Sequence, residues 1–180
     1  LKGKAFAQLN EYALACKQFE SLRKIDPVDN FYHTLSYIEE ANLLTAQKAY
    51  AQAQQLLAEM ADKFPNHTYA PIGLYLAAVN AEQRGLLYAN ETVALLNRLI
   101  ERYPSHELVY FARLKQGHLL MSLNNFSAAK EVFVRLQHDF PAHAQNTYCK
   151  YLEIKCQIAQ AVGNSENVMR SLETLLSYPD

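Results

Sequence analysis

The 180-residue sequence predicts an all-α fold, an α-solenoid of stacked antiparallel helix pairs wound as a right-handed superhelix. Three observations predict it. Prolines recur at 27, 65, 104, 141 and 179, so each interval is 37 to 39 residues. Blocks one, two and four also share an internal spacing. Gly3, Ala15, Phe19 and Pro27 are matched interval for interval by Ala41, Ala53, Leu57 and Pro65, and by Gly117, Ala129, Phe133 and Pro141. A large apolar residue (Phe6, Leu44, Leu120) follows each small one by three positions. Third, two stretches of helical apolar spacing lie between successive prolines, as in Ala129, Val132, Phe133 and Leu136. Half the residues are hydrophobic, 19% are charged, and five Gly with six Pro are few for a turn-rich β chain.

The elements follow in order. Residues 1–8 read as the stub of a first helix. Further helices are predicted near 11–24, 30–45, 48–62, 67–84, 89–102, 106–121, 125–138, 143–161 and 165–177. Proline ends every second one, because it lacks an N–H and restricts the residue before it. The small Gly or Ala lets paired helices approach, and Phe19 or Phe133 fills the space between neighbours. A single hairpin leaves an apolar face wet, and stacking buries it. The chain is one repeat array, 1–180, with a partial block at 1–27 and blocks at 28–65, 66–104, 105–141 and 142–180. It opens at LKGKAF without an initiator Met, which suggests a segment of a longer protein.

These residues resemble the tetratricopeptide repeat (TPR), with its small residue, Ala-x3-Phe and closing Pro. The resemblance spans nearly the whole chain. Block three is looser: Ala78 is the small residue, Leu96 replaces Phe, Thr92 replaces Ala, and the inter-helix stretch EQRGLLYAN is longer by about two residues. In the last block Cys156 is assigned the small position, followed by Ala159, Val168 and Leu172. Tyr37 and Leu74 take the family's Trp position, and Glu40 and Gln116 stand where Leu is common. The ~38-residue period is similar to repeats of bacterial cell-envelope proteins, which leans localisation toward the envelope or periplasm.

The resemblance implies a non-catalytic scaffold that binds a peptide or helix of a protein partner on the first helices of its pairs. Positions carried over from the family give Ile38, Asn42, Tyr75, Phe111, Leu114, His118, Met121 and Gln157 as the partner-binding groove. Tyr75 and Phe111 are the expected anchors. Lys150, Glu153 and Gln160 would give its last block a polar end. Asn42 matches a position of the family's carboxylate-holding members, but Ile38 stands where their Lys would be, so that specificity is not expected. The alternative is a passive spacer or self-association module.

Other chemistry is not expected. With 17 Lys and Arg against 18 Asp and Glu and no basic run, nothing argues for nucleic acid. The longest uncharged apolar run, YAPIGLYLAAV, is shorter than the ~20 residues of a membrane span. Aromatic-Pro-x-His occurs three times, as FPNH, YPSH and FPAH, and places His67, His106 and His143 at helix starts one repeat apart. Imidazoles so spaced cannot share one metal ion, so they read as loop residues, and no cofactor or metal is expected. Cys149 and Cys156 lie ~10 Å apart along one helix, too far for a disulfide. No nucleophile motif, phosphate loop or CxxC is present, and the chain reads as a non-enzyme.

Overall fold

A computed structural model describes residues 11–24 and 30–161, with the isolated positions 3, 169, 173 and 174. All regular structure among them is helical. The helices are α1 (Tyr12–Lys24), α2 (Asn30–Ala46), α3 (Tyr50–Lys63), α4 (Ala70–Gln83), α5 (Ala89–Arg102), α6 (Leu108–Ser122), α7 (Phe126–Asp139) and α8 (Asn146–Gln160), with a 3-10 turn at Leu86–Tyr88. Each agrees with its prediction to within three residues or so. The expected 1–8 stub, the helix at 165–177, Phe6, Pro27, Val168, Leu172 and Pro179 lie outside the described residues.

The chain divides into two compact units, Leu1–Leu108 and Val109–Asp180. In the first, α1 packs on α2, α2 on α3, α3 on α4 and α4 on α5. Its core holds Ala15, Phe19, Ala41, Ala53, Leu57, Met60, Leu74, Leu96 and Leu99. In the second, α7 packs on α8, and Tyr110, Ala129, Phe133, Leu136, Cys149, Leu152 and Cys156 form one buried cluster.

The repeat is visible as contact chemistry. A Cβ added to Gly3 would meet the Phe19 ring at 2.7 Å, and one added to Gly117 would overlap the Phe133 ring. The small residue therefore admits the aromatic of its own hairpin, a closer role than filling space between neighbouring repeats. Seven residues beyond the small residue of blocks two, three and four stand Lys48, Gly85 and Asn124, all with positive φ (61°, 101° and 58°). Two of these turns close alike. Ala49 N–H donates to Leu44 C=O and Asn125 N–H to Leu120 C=O, both at 2.8 Å. Lys48 and Asn124 N–H donate to Thr45 and Met121 C=O, each at 2.9 Å. That pair of bonds is a Schellman ending, which requires a left-handed residue.

The joint between repeats is equally regular. Phe64, Tyr103 and Phe140 N–H each cap the preceding helix through Met60, Leu99 and Leu136 C=O. His67, His106 and His143 N–H then close a turn back to those aromatics at 3.0 Å. Each imidazole Nδ1 accepts the N–H two residues on, from Tyr69 (3.1 Å), Leu108 (3.2 Å) and Gln145 (3.2 Å). An accepting Nδ1 leaves the proton on Nε2. His67 Nε2 faces the buried Thr34 hydroxyl at 3.4 Å, and Thr34 donates onward to Phe31 C=O. His143 stacks on Tyr110 with ring centroids 3.4 Å apart. The histidines are thus helix-start acceptors, each held by its own turn.

Positions that depart from the family pattern have local partners. Glu40 Oε2 lies 2.6 Å from Arg23, whose guanidinium sits over the Tyr37 ring. Thr92, wholly buried, donates to Tyr88 C=O. The longer third turn is braced: Arg84 pairs with Glu91, donates to the Gln54 amide oxygen at 2.7 Å, and lies 3.6 Å over the Tyr88 ring.

Candidate partner-binding surface

The first helix of each pair presents one row of side chains left over after packing. Measured from the block Pro, positions 8, 13 and 15 are buried in three successive helices. They are Gly73, Ala78 and Asn80 in α4, Ala112, Gly117 and Leu119 in α6, and Cys149, Ile154 and Cys156 in α8. Positions 7, 10, 14 and 17 are the row between. In α4 it comprises Ile72, Tyr75, Val79 and Glu82, and in α6 Phe111, Leu114, His118 and Met121, all half-buried. In α2 the expected Ile38 is half-buried and Asn42 exposed.

In α8 the same count corrects the sequence expectation. Ile154, not Cys156, occupies the small position, and the row is Tyr148, Tyr151, Lys155 and Ile158. Gln157 is two residues out of register. Its amide donates to Glu153 at 3.3 Å, and Glu153 accepts from Gln137 of α7 at 3.1 Å and from Lys150 at 3.0 Å. Glu153 therefore ties α8 to α7 through Gln137, and Gln157 and Lys150 hold Glu153 rather than lining the row. Size misleads here: Cys156 is small, but it joins the cluster with Ala129, Phe133 and Leu136. The spacing of 13 residues from Pro65 to Ala78 and from Pro104 to Gly117 points to Ile154.

The unit beginning at Val109 brings Tyr148 onto His118. Their rings lie 5.9 Å apart and the Tyr148 hydroxyl is 3.5 Å from His118 Nε2. Tyr151 stacks beside Tyr148 at 6.2 Å and 19°. Tyr148 and Tyr151 remain 45% and 43% exposed. In the unit ending at Leu108, the polar link between rows is Thr45, which donates to the buried Asn80 at 2.8 Å while Asn80 donates to Leu76 C=O. Ile38 and Tyr75 lie on α2 and α4 of that unit, and Phe111, Leu114, His118 and Met121 share α6.

The titratable groups are tuned for structure. Burial raises the Cys149 thiol, against a smaller opposite pull from its 3.0 Å bond with the Tyr110 hydroxyl. Burial also raises the Tyr110 phenol, reinforced by that bond. Both shifts favour the protonated thiol and phenol. Among the described residues no three His, Cys, Asp or Glu gather to hold a metal ion, and no helix is long and apolar enough to cross a membrane.

No family model and no curated protein matches the sequence. Solved structures do. A kinesin-light-chain-type protein of Podosopora anserina with nearly identical TPR-like repeats is similar over 95% of this chain and 88% of its own, at 14% identity and TM-score 0.66. MamA is similar over 98% and 97%, at 13% identity and TM-score 0.62. YrrB, described as a TPR protein with an unusual peptide-binding site, is similar over 95% and 79%, at 16% identity and TM-score 0.59. The fold is a TPR-like helical-repeat fold. In TPR-like terms, the rows on α2 and α4 in one unit and on α6 and α8 in the other are each the face of first helices, and the aromatic-Pro-x-His turn joins one repeat to the next.

Proposed function

We propose that this TPR-like chain is a non-catalytic interaction module that holds a peptide or short helix of a protein partner on its first-helix rows. One observation carries the reading. Ile38, Tyr75, Phe111, Leu114 and Met121 are all half-buried and apolar, whereas Gly73, Ala78 and Asn80 of α4 and Ala112, Gly117 and Leu119 of α6 are buried. Apolar rows of this kind, edged by polar residues such as Asn42 and His118, suit the alternate side chains of an extended peptide or the face of an amphipathic helix. The peptide-binding site described for YrrB supports a ligand of that class. The resemblance of the ~38-residue period to repeats of bacterial cell-envelope proteins is the support for a role in an envelope assembly.

The test is partner capture by the protein, read by mass spectrometry, with the variant Tyr75→Ala/Phe111→Ala. Binding of the principal partner is expected to disappear while helicity and melting stay as in wild type. Undiminished capture by a folded variant would remove the rows as the binding surface and favour a spacer.

A further inference from the structure

Two of the three joint histidines share one recess. His67 and His106, both half-buried, line it with Asn66, Thr68, Arg102 and Tyr103. The Tyr103 hydroxyl donates to Pro65 C=O at 2.6 Å and ties the second joint to the first. Each ring spends Nδ1 as the acceptor for the N–H two residues on, from Tyr69 and Leu108. Nε2 therefore already carries a proton, and at His67 it faces the Thr34 hydroxyl of α2. A second proton can go only to Nδ1. There it sets a donor against a donor, so the charged ring and the backbone bond exclude each other. The helices α4 and α6 begin two to three residues on, and the N-terminal end of a helix disfavours a cation.

The charges around the recess do not offset this. Arg102 of α5 lines it and is held by Asp62 at 3.0 Å. Lys63, at the end of α3 beside His67, is held by Glu59 at 2.6 Å. Glu107, next to His106, is exposed and does not line the recess. Among the described residues no carboxylate lines it. Two imidazolium ions would thus join a guanidinium in one place, and like charges oppose one another. His143 is placed differently. It stacks on Tyr110 and stands edge-on to Phe111 at 5.7 Å, and an aromatic face attracts a cation, which offsets the lost bond. The charged groups of that joint are engaged among themselves: Arg113 and His138 both contact Asp139.

We infer that the joints at His67 and His106 form an acid-sensitive latch, which holds the α4–α5 hairpin at both ends and opens when the two imidazoles take up protons. The unfolded chain accepts those protons with no bond to lose. The contribution of the two bonds is therefore complete above the imidazole range and is lost as pH falls through it, between about pH 8 and 5. The latch acts whether or not a partner is bound.

The experiment compares urea unfolding of the full chain at both ends of that range with that of His67→Asn/His106→Asn. An Asn amide oxygen accepts the same N–H and takes up no proton. On acidification the wild-type folded-to-unfolded ratio should fall about five- to a hundredfold further than that of the variant, the worth of two net hydrogen bonds. His143→Asn should leave the wild-type pH dependence nearly intact. Amide exchange of the wild-type chain, corrected for its intrinsic pH dependence, should show Tyr69 and Leu108 losing protection over the same range. A double variant with the wild-type pH dependence, or His143→Asn flattening it as much as the pair does, overturns the latch. Tyr69 and Leu108 amides that keep their protection at the acid end overturn it as well, and that measurement needs no variant.

Discussion

His67, His106 and His143 show how one residue type can solve a recurrent backbone problem. A helix start leaves N–H groups without partners, and here Nδ1 accepts one of them each time. Replacing any of the three with Ala should cost about 0.5–2 kcal/mol in urea unfolding, the range for losing a helix-start acceptor, and Asn should restore most of it. Side-chain nitrogen shifts in NMR should report all three rings protonated on Nε2; a proton on Nδ1 would contradict the geometry. Lys48 is the converse case, a side chain held at φ 61° where the equivalent residues are Gly85 and Asn124. Lys48→Gly removes that strain and should raise stability by up to about 1 kcal/mol. Thiol labelling checks the cysteines. Cys16, half-buried, should react first, and Cys149 and Cys156, fully buried with thiols raised mainly by burial, only as the protein unfolds.

Helices were the most legible feature of the sequence, for a physical reason. Proline and the 3.6-residue apolar period are local signals, and both act on the backbone directly. The starts of α4, α6 and α8 fall up to three residues later than expected because the Pro-x-His turn occupies those positions. Side-chain pairing is not local. Nothing in the sequence announces that Glu40 meets Arg23, that Asn80 meets Thr45, or that Glu153 turns toward Gln137. The α8 row is mistaken for the same reason: residue size suggested Cys156, whereas packing against α7 decides the register. At this scale Gly117→Ala should cost about 1–3 kcal/mol, because the added methyl overlaps the Phe133 ring. Phe133→Leu in the same chain should recover part of that loss in thermal melts. Between α3 and α5, burial pushes the Asp62 carboxyl up, but hydrogen bonds from Arg98 and Arg102 outweigh it and hold the group below its ordinary range. Its stabilising contribution is therefore complete above the usual carboxylate range and is lost as pH falls through the lowered value. For exposed partners it amounts to about 0–1 kcal/mol, and Asp62→Asn should flatten that part of the acid-unfolding curve.

At the scale of the unit ending at Leu108, contacts run from each helix to its neighbours in sequence, so damage there should stay near its origin. Leu57→Ala, at a fully buried position of α3, should cost about 2–5 kcal/mol. The resulting loss of amide-exchange protection should concentrate in α2 to α4; uniform loss through every helix of that unit would speak against neighbour-limited stability. Joints built alike have an evolutionary corollary. The aromatic-Pro-x-His turn caps one helix, reverses the chain and starts the next within four residues, using mainly its own atoms. A gene segment cut at these turns and copied in tandem would carry its connectors with it, so an ancestral chain could grow by whole units without inventing a new hinge.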